Sequence, residues 1–135
     1  MKFQLVKTQA KEFTLKTEEK NSSNTQQGLS ISSLGVSLRL PELEETKSFA
    51  ICFHLTATAT IIEELINLDC EYWAFFEAET PLTQEFLEGS FTTINAPAIA
   101  YPYLRSFVTS LLANAGYPAM YLPTVNFVEL AKQSN

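Results

Sequence analysis

Three residues of this chain, Cys52, His54 and Cys70, are of types that bind metals or act as nucleophiles. All three are even-numbered and lie on adjacent predicted strands, so their spacing allows them to share one sheet face. A zinc site needs a fourth ligand or a water, and a Cys–His nucleophile needs a third group that orients the histidine. The sequence identifies neither group. We therefore expect no metal, no cofactor and no catalytic residue.

Other catalytic signals are weak. The Gly-x-Ser-x-Gly motif, the phosphate loop and the dinucleotide fingerprint are missing from the sequence. Carboxylate pairs such as Glu63–Glu64 are abundant, but adjacent residues of a strand point to opposite faces, which argues against their acting together. An enzyme that uses His54 on a small ligand remains the least favoured alternative.

The charge of the chain is concentrated in its middle. The whole sequence has 15 acidic and 9 basic residues and a net charge of -6. Residues 42–88 contain eleven acidic residues and one basic residue, Lys47, so this segment alone carries -10. Such a segment repels phosphates, which argues against nucleic-acid binding. It suits either a solvated surface or a basic protein partner.

Apolar residues alternate along four segments, as they do in half-buried strands. The first strand is expected to be interrupted near Ala10–Lys11. In the second, the apolar phase switches between Ile31 and Leu34, which predicts a β-bulge beside Gly35. The four predicted strands are residues 2–17, 29–40, 48–60 and 66–78.

The C-terminal half has helical periodicity. Residues 101–115 carry a broad apolar stripe, with Pro102 suited to the first turn and Gly116 to the position after the end. A helix that is apolar on most faces is buried on more than one side, either in a deep core or in an oligomer. Residues 82–94 fit a short helix or a loop, and residues 126–133 fit a short helix.

The length of 135 residues suits one domain, which we place at residues 1–135. Four antiparallel strands followed by a long helix and a short C-terminal helix predict an α+β fold. The apolar runs are shorter than the ~20 residues of a membrane span, and no signal peptide is visible. We expect a cytoplasmic protein that is not embedded in a membrane.

The most specific motifs lie between Asn95 and Phe127. They are Ala-Pro-Ala-Ile-Ala-Tyr-Pro-Tyr-Leu-Arg at 96–105, Gly-Tyr-Pro at 116–118 and Pro-Thr-Val-Asn-Phe at 123–127. This pattern resembles the SecB family of export chaperones, although the last motif carries one inserted or shifted residue. The first, third and fourth strands also resemble the family in order.

The resemblance implies a chaperone without ATPase activity that binds unfolded polypeptides along apolar grooves. It implies a four-stranded antiparallel sheet with two helices, and protomers that pair into dimers and dimers of dimers around the long helices. It also implies that secretory precursors pass to the SecA ATPase, whose basic tail docks on an acidic sheet face.

Residues of this chain take the implied roles by position and by strand parity. The acidic docking face is assigned to Glu12, Asp69 and Glu71, while Lys16 stands where the family often has an acid. Large aromatic residues on that face need cover from a helix or loop of the chain, or from a partner. Client contact is predicted for Trp73, Phe75 and Phe76. The oligomer interface is predicted to include Cys70, Tyr72, Tyr103, Phe107 and Leu111.

A second interpretation stays open within the same resemblance. The acidic face departs from the family at Lys16 and Asp69, and a chaperone dedicated to one client need not dock SecA. Such a client would be, for example, the antitoxin of a toxin–antitoxin system. Binding of the SecA tail distinguishes the two interpretations.

Overall fold

The computed structural model describes residues 2–19, 27–41 and 46–133. Four strands form one antiparallel sheet in the order β1-β4-β3-β2, so β1 and β2 are the edge strands. The predicted four-stranded antiparallel sheet is confirmed. The strands are β1 (Phe3–Glu19), β2 (Gly28–Arg39), β3 (Ser48–Ile61) and β4 (Glu64–Ala78).

The sheet has a core face and an outer face, because side chains alternate along each strand. On the core face, odd-numbered residues of β3 lie beside even-numbered residues of β4, as Leu55 does beside Cys70. These positions are almost fully buried, and Phe53 and Ile66 are both 0% exposed. The outer face is the opposite one, on which Cys52 lies beside Trp73.

Three bulges set which side chains reach each face. β1 shifts register on either side of Val6 and again on either side of Lys11, so the interruption predicted near Ala10–Lys11 is confirmed. The β2 bulge lies at Ser32, so the predicted bulge in this strand is confirmed but its predicted place beside Gly35 is wrong. The apolar phase changes where one residue is unpaired, and Gly35 pairs regularly with His54.

Three helices follow the strands: α1 (Gln84–Glu88), α2 (Ala96–Asn114) and α3 (Phe127–Gln133). A π-helical turn, Phe91–Asn95, leads into α2. The predicted long helix and short C-terminal helix are therefore confirmed, and the ambiguous segment 82–94 contains the short helix α1. Within the described residues, no helix is long and apolar enough to span a membrane.

The long helix begins five residues earlier than predicted. Ala96 and Ala100 are buried on the sheet, which extends the apolar stripe back toward the N-terminus. Pro97 occupies the first turn, and Pro102 lies inside the helix, so the prediction that Pro102 starts it is wrong. At the other end, Gly116 has φ 98° and follows the last helical turn as predicted.

An extended strap, residues 117–126, returns along α2 and leads into α3. Three α2 side chains, each four residues from the next, donate hydrogen bonds to its carbonyl oxygens. Tyr101 Oη donates to Pro123 at 2.6 Å and Arg105 Nε to Leu122 at 3.0 Å. Thr109 Oγ1 donates to Met120 at 2.8 Å. These bonds fix the position of α3 over the sheet.

We predict that Tyr101→Phe lowers the free energy of unfolding by about 1–2 kcal/mol, because the Pro123 carbonyl loses its buried donor. Chemical denaturation followed by circular dichroism measures this change. Tyr103→Phe is the matched control, since Tyr103 lies on the same helix but is 50% exposed. Equal stability losses in the two variants would contradict a structural role for the Tyr101 hydroxyl.

Candidate binding surfaces of the sheet

The centre of the outer face is aromatic. Trp73 and Phe75, two residues apart on β4, have ring centroids 5.9 Å apart. Lys7 Nζ lies 4.8 Å from the Phe75 centroid, and Lys11 Nζ lies 5.1 Å from that of Trp73. The Arg39 guanidinium lies 5.9 Å from the Trp73 ring. We call these five residues the cation–aromatic cluster.

The three cations of this cluster partly cover the two aromatic residues. They are half-buried, and the side chains over them come from strands β1 and β2, not from a helix. Cation–π contacts of this kind contribute about 0.5–1 kcal/mol at exposed sites. Trp73 and Phe75 thus lie together on an accessible face, and their predicted client contact stays a prediction.

Phe76 does not join them. It is 2% exposed on the core face, where its ring stacks on Phe49 at a centroid distance of 5.1 Å. Adjacent residues of a strand point to opposite faces, so the Phe76 ring lies on the other side of the sheet from the Phe75 ring. The Phe76 ring is therefore not exposed to a client in the folded protomer, and its predicted client contact stays a prediction.

The predicted docking acids, Glu12, Asp69 and Glu71, are brought together on the outer face, and we call them the acidic patch. Glu12 lies directly opposite Glu71 in the β1–β4 register. Glu71 Oε1 accepts a hydrogen bond from Trp73 Nε1 at 2.8 Å, which joins the patch to the cation–aromatic cluster. Asp69 Oδ1 lies 3.2 Å from His54 Nε2.

Basic residues border the acidic patch. Lys16 lies beside Asn67 on the same outer face, and Lys11 approaches from the other end. Lys11 and Lys16 therefore interrupt the acidity of this face on either side of the patch, although Glu18 and Glu77 also lie on it. The acids Glu42, Glu44 and Glu45 of the acidic middle segment lie outside the described residues.

The three residues with metal-binding or nucleophilic chemistry do not meet. Cys52 and His54 lie on the outer face, whereas Cys70 lies on the core face beside Leu55. The shared face that their even numbering allows does not form, because the register pairs even positions of β3 with odd positions of β4. Within the part of the chain that the structure describes, no group of three or more His, Cys, Asp or Glu residues could hold a metal ion.

Both cysteines are free and buried. Burial, followed by the charge of the nearby Asp69 carboxylate, raises the pKa of the Cys70 thiol to about 12. Burial, followed by the charge of Glu71, also raises the pKa of Cys52. Neither thiol is therefore a reactive thiolate near neutral pH.

We predict that stability falls as the pH rises from about 9 towards about 12, where an unfolded chain ionises the Cys70 thiol and the folded one keeps its proton. Urea unfolding at several pH values measures this slope. Burial also raises the pKa of Tyr72 and Tyr101, which steepens the slope in every variant. Cys70→Ala should show a shallower slope, and an unchanged slope would contradict the assignment.

On the core face, α2 covers the centre of the sheet and leaves the β1 side partly open. Leu104, Val108 and Leu112 of α2 are fully buried on the side of the helix that faces the sheet. Phe107 packs against Tyr72 and Phe13 with ring centroids 5.4 and 5.7 Å apart. Phe13 is still 48% exposed on the sheet's core face. An apolar surface therefore remains uncovered in the protomer.

The predicted oligomer residues divide between this surface and the core. Cys70 and Tyr72 are buried within the protomer, and the Tyr72 hydroxyl donates to Thr8 Oγ1 at 2.7 Å. Neither presents a surface to a partner, so both are removed from the candidate interface. Tyr103 is half-exposed, and Phe107 and Leu111 are partly exposed beside it on α2. These three remain candidates.

A second, partly apolar opening lies at the β2 edge, and we call it the core-side groove. It has a volume of about 480 Å³ and lies between β2, the α1–π-turn segment and α3. The alternation of β2 indicated its apolar side chains, but sequence periodicity could not show that α3 lies across from them. Its apolar lining consists of Leu34, Val36, Leu38, Leu87, Leu130 and Ala131, and Glu88, Thr92 and Thr93 give it a polar part of similar extent.

The architecture matches that of a solved structure. A SecB-like chaperone from Mycobacterium tuberculosis, in complex with a peptide from the HigA1 antitoxin, superposes with a TM-score of 0.72 at 14% sequence identity. The match covers 91% of this chain and 90% of that one. The fold is therefore that of a SecB-like chaperone.

Sequence comparisons identify the family. The family described as preprotein translocase subunit SecB matches residues 1–135. Protein-export protein SecB of Polaromonas sp. is 28% identical over 86 residues, which cover 60% of this chain and 56% of that relative. The SecB of Dichelobacter nodosus is 27% identical over 104 residues, covering 75% and 65%. The chain belongs to the SecB family, and it spans less than two thirds of the length of these relatives.

Proposed function

We propose that this protein is an ATP-independent holdase that binds unfolded polypeptides and keeps them competent for export. The observation that carries the proposal is the SecB family match over residues 1–135. The open apolar surfaces of the protomer support it physically. A holdase needs apolar area that stays accessible in the folded state, and the core-side groove supplies such area.

The core-side groove suits an extended client. Its apolar side chains come from the edge strand β2 on one side and from helices on the other. Burying apolar client side chains there yields about 25 cal/mol per Å² without requiring a particular sequence. Weak binding at one groove becomes strong when several grooves of one oligomer hold the same long chain.

We propose that the protomers associate through the exposed flank of α2. Tyr103, Phe107 and Leu111 lie on this flank, next to the half-exposed Phe13 of β1. An oligomer would bury this apolar surface from water, and it would bring several core-side grooves into one particle. A dimer or a dimer of dimers, acting in the cytoplasm, follows from the same family resemblance.

The acidic patch is proposed to dock a basic segment of a partner, for which the SecA tail is the first candidate. Calorimetry with a SecA tail peptide tests this, with Glu12→Gln as the variant expected to lower the affinity. Lys16→Gln is the matched control on the same strand, since it removes a cation and should leave binding equal or stronger. No heat with the unmodified protein would remove SecA from the proposal.

A dedicated chaperone is the second candidate. The solved SecB-like chaperone that matches this fold carries an antitoxin peptide. In this chain Lys16 lies on the outer face that the SecA tail would have to approach. A protein that holds one client tightly, holds unrelated unfolded polypeptides weakly and gives no heat with the SecA tail would be of this second kind.

Suppression of aggregation tests the holdase proposal. An unfolded client is diluted into buffer with and without the protein, in the absence of nucleotide, and light scattering is followed. We expect scattering to fall as the protein approaches stoichiometric amounts. His54→Ala should suppress equally, because a chaperone has no use for a catalytic histidine, whereas loss of function in this variant would favour the enzyme alternative.

A further inference from the structure

The outer face carries an opening that the holdase proposal does not use, and we call it the outer groove. It has a volume of about 390 Å³, within the ~300–1,000 Å³ range of ligand pockets. Trp73 and Phe75 form one side. Val6 and Leu40, which are 52% and 46% exposed, form the rim.

Local sequence explains why the groove stays open. Ala50 lies on β3 between Arg39 of β2 and Phe75 of β4, so a small side chain separates two large ones. Val6 is the unpaired residue of the first β1 bulge, and it lines the groove together with Phe75. The floor at Ala50 is therefore apolar, and the larger side chains of Arg39 and Phe75 stand on either side of it.

The charges around the groove are predominantly positive. Lys7, Lys11 and Arg39 lie over its aromatic rings. Among residues 2–19, 27–41 and 46–133, the ion pairs are His54–Asp69 and Lys132–Glu129, so no described carboxylate forms an ion pair with these three cations. Of the carboxylates in the described part of the chain, Glu77 lines the groove and Glu71 accepts the hydrogen bond of Trp73 Nε1 at its border. An anionic ligand therefore finds complementary charge here.

An apolar floor with a cationic border selects a short acidic peptide over other anions. A bare phosphate would leave the Trp73 and Phe75 rings uncovered. A long polyanion would extend over the acidic patch, where Glu12 and Glu71 repel it. In a peptide with spaced carboxylates and one large apolar side chain, the carboxylates can pair with the cations of the border and the apolar side chain can pack on the floor.

We propose that the outer groove binds an acidic peptide segment of a partner protein that carries an aromatic or aliphatic side chain. Its apolar side chain packs on Trp73 and Phe75, and its carboxylates face the lysines and the arginine of the cation–aromatic cluster. The outer face is then divided by charge: the acidic patch takes basic segments and the outer groove takes acidic ones. This goes beyond the proposed holding of clients in the core-side groove, which lies on the opposite face of the sheet.

The single tryptophan of the chain provides a direct probe, because Trp73 lies in the groove. The full chain is titrated with a ten-residue peptide that alternates Glu with Leu and Phe and contains no Trp. We expect saturable change in Trp73 fluorescence that weakens with added salt. The counterpart peptides with Gln or Lys in place of Glu should bind at least fivefold more weakly.

Lys11→Gln should weaken the acidic peptide about fivefold, as expected for loss of one partly exposed charge contact. Lys16→Gln, on the same strand and face but away from the rings, should change the affinity less than twofold. Equal effects of the two variants, or equal binding of the acidic and basic peptides, would overturn the proposal. The proposal would also be overturned if the Trp73 signal changed only with anionic lipid vesicles, or only when the protein concentration was raised. The aggregation assay is independent of all these outcomes.

Discussion

Val36→Glu should weaken the holding of unfolded polypeptides at least tenfold while leaving the protein folded. Val36 is a half-buried residue of the edge strand β2, and its side chain lines the core-side groove. A client that enters the groove would bury this carboxylate without a partner, which costs several kcal/mol unless the client withdraws. Aggregation assays and binding of a labelled unfolded client measure the loss.

Ser37→Glu is the matched control for this variant. Ser37 is the next residue of the same strand, is exposed and lies on the outer face. It introduces the same charge without touching the core-side groove, so client holding should be unchanged. Circular dichroism and thermal unfolding test whether both variants fold. If the glutamate unfolds the strand, Val36→Thr supplies a milder change at the same position. Full activity of a folded Val36→Glu protein would contradict the assignment of the groove.

Tyr103→Glu should dissociate the oligomer into protomers of 15.1 kDa. Tyr103 is 50% exposed in the protomer, so a glutamate there leaves the fold of the protomer intact. In the proposed interface the same position is buried, and a carboxylate would be desolvated without a partner. A central aromatic contact of this kind contributes about 2 kcal/mol or more, equivalent to roughly thirtyfold in association.

Mass from light scattering at several protein concentrations measures this dissociation. Tyr103→Phe is the matched control, because it removes the hydroxyl and keeps the apolar area, and its mass should equal that of the unmodified protein. An unmodified protein that is already a protomer at all concentrations would contradict the interface. An oligomer that survives Tyr103→Glu unchanged would place the interface elsewhere.

The strands and their faces could be predicted from alternation, because the period within one strand is local. Trp73, Phe75 and Glu71 were assigned to one face correctly for this reason. The register between strands is not local, and the sequence does not reveal it. Residue parity alone therefore allows Cys70 and Cys52 to share a face, whereas the register places them on opposite faces.

Tertiary packing accounts for the error at the start of α2. Pro102 favours the start of a helix by its fixed φ and missing donor, yet it lies inside α2. The helix continues past it because Ala96 and Ala100 bury their side chains on the sheet, and Tyr101 and Arg105 hold the strap. Tertiary packing thus outweighs the local preference of one proline.

The binding surfaces could be predicted from periodicity only where one strand supplies most of their residues. The acidic patch depends on β4 and on one β1 residue, and the family motif supplied the latter. The cation–aromatic cluster joins side chains of β1, β4 and β2, and the core-side groove joins β2 to α3. Both depend on strand order and helix placement, so neither could be found from periodicity.

The most direct test of the holdase assignment compares one client in two states. The protein is mixed, without nucleotide, with the same polypeptide in its unfolded and in its native form, and the mass of each mixture is measured. We predict a complex with the unfolded form and none with the native form. No complex with either form, or equal complexes with both, would contradict the central claim that this SecB family member holds unfolded chains.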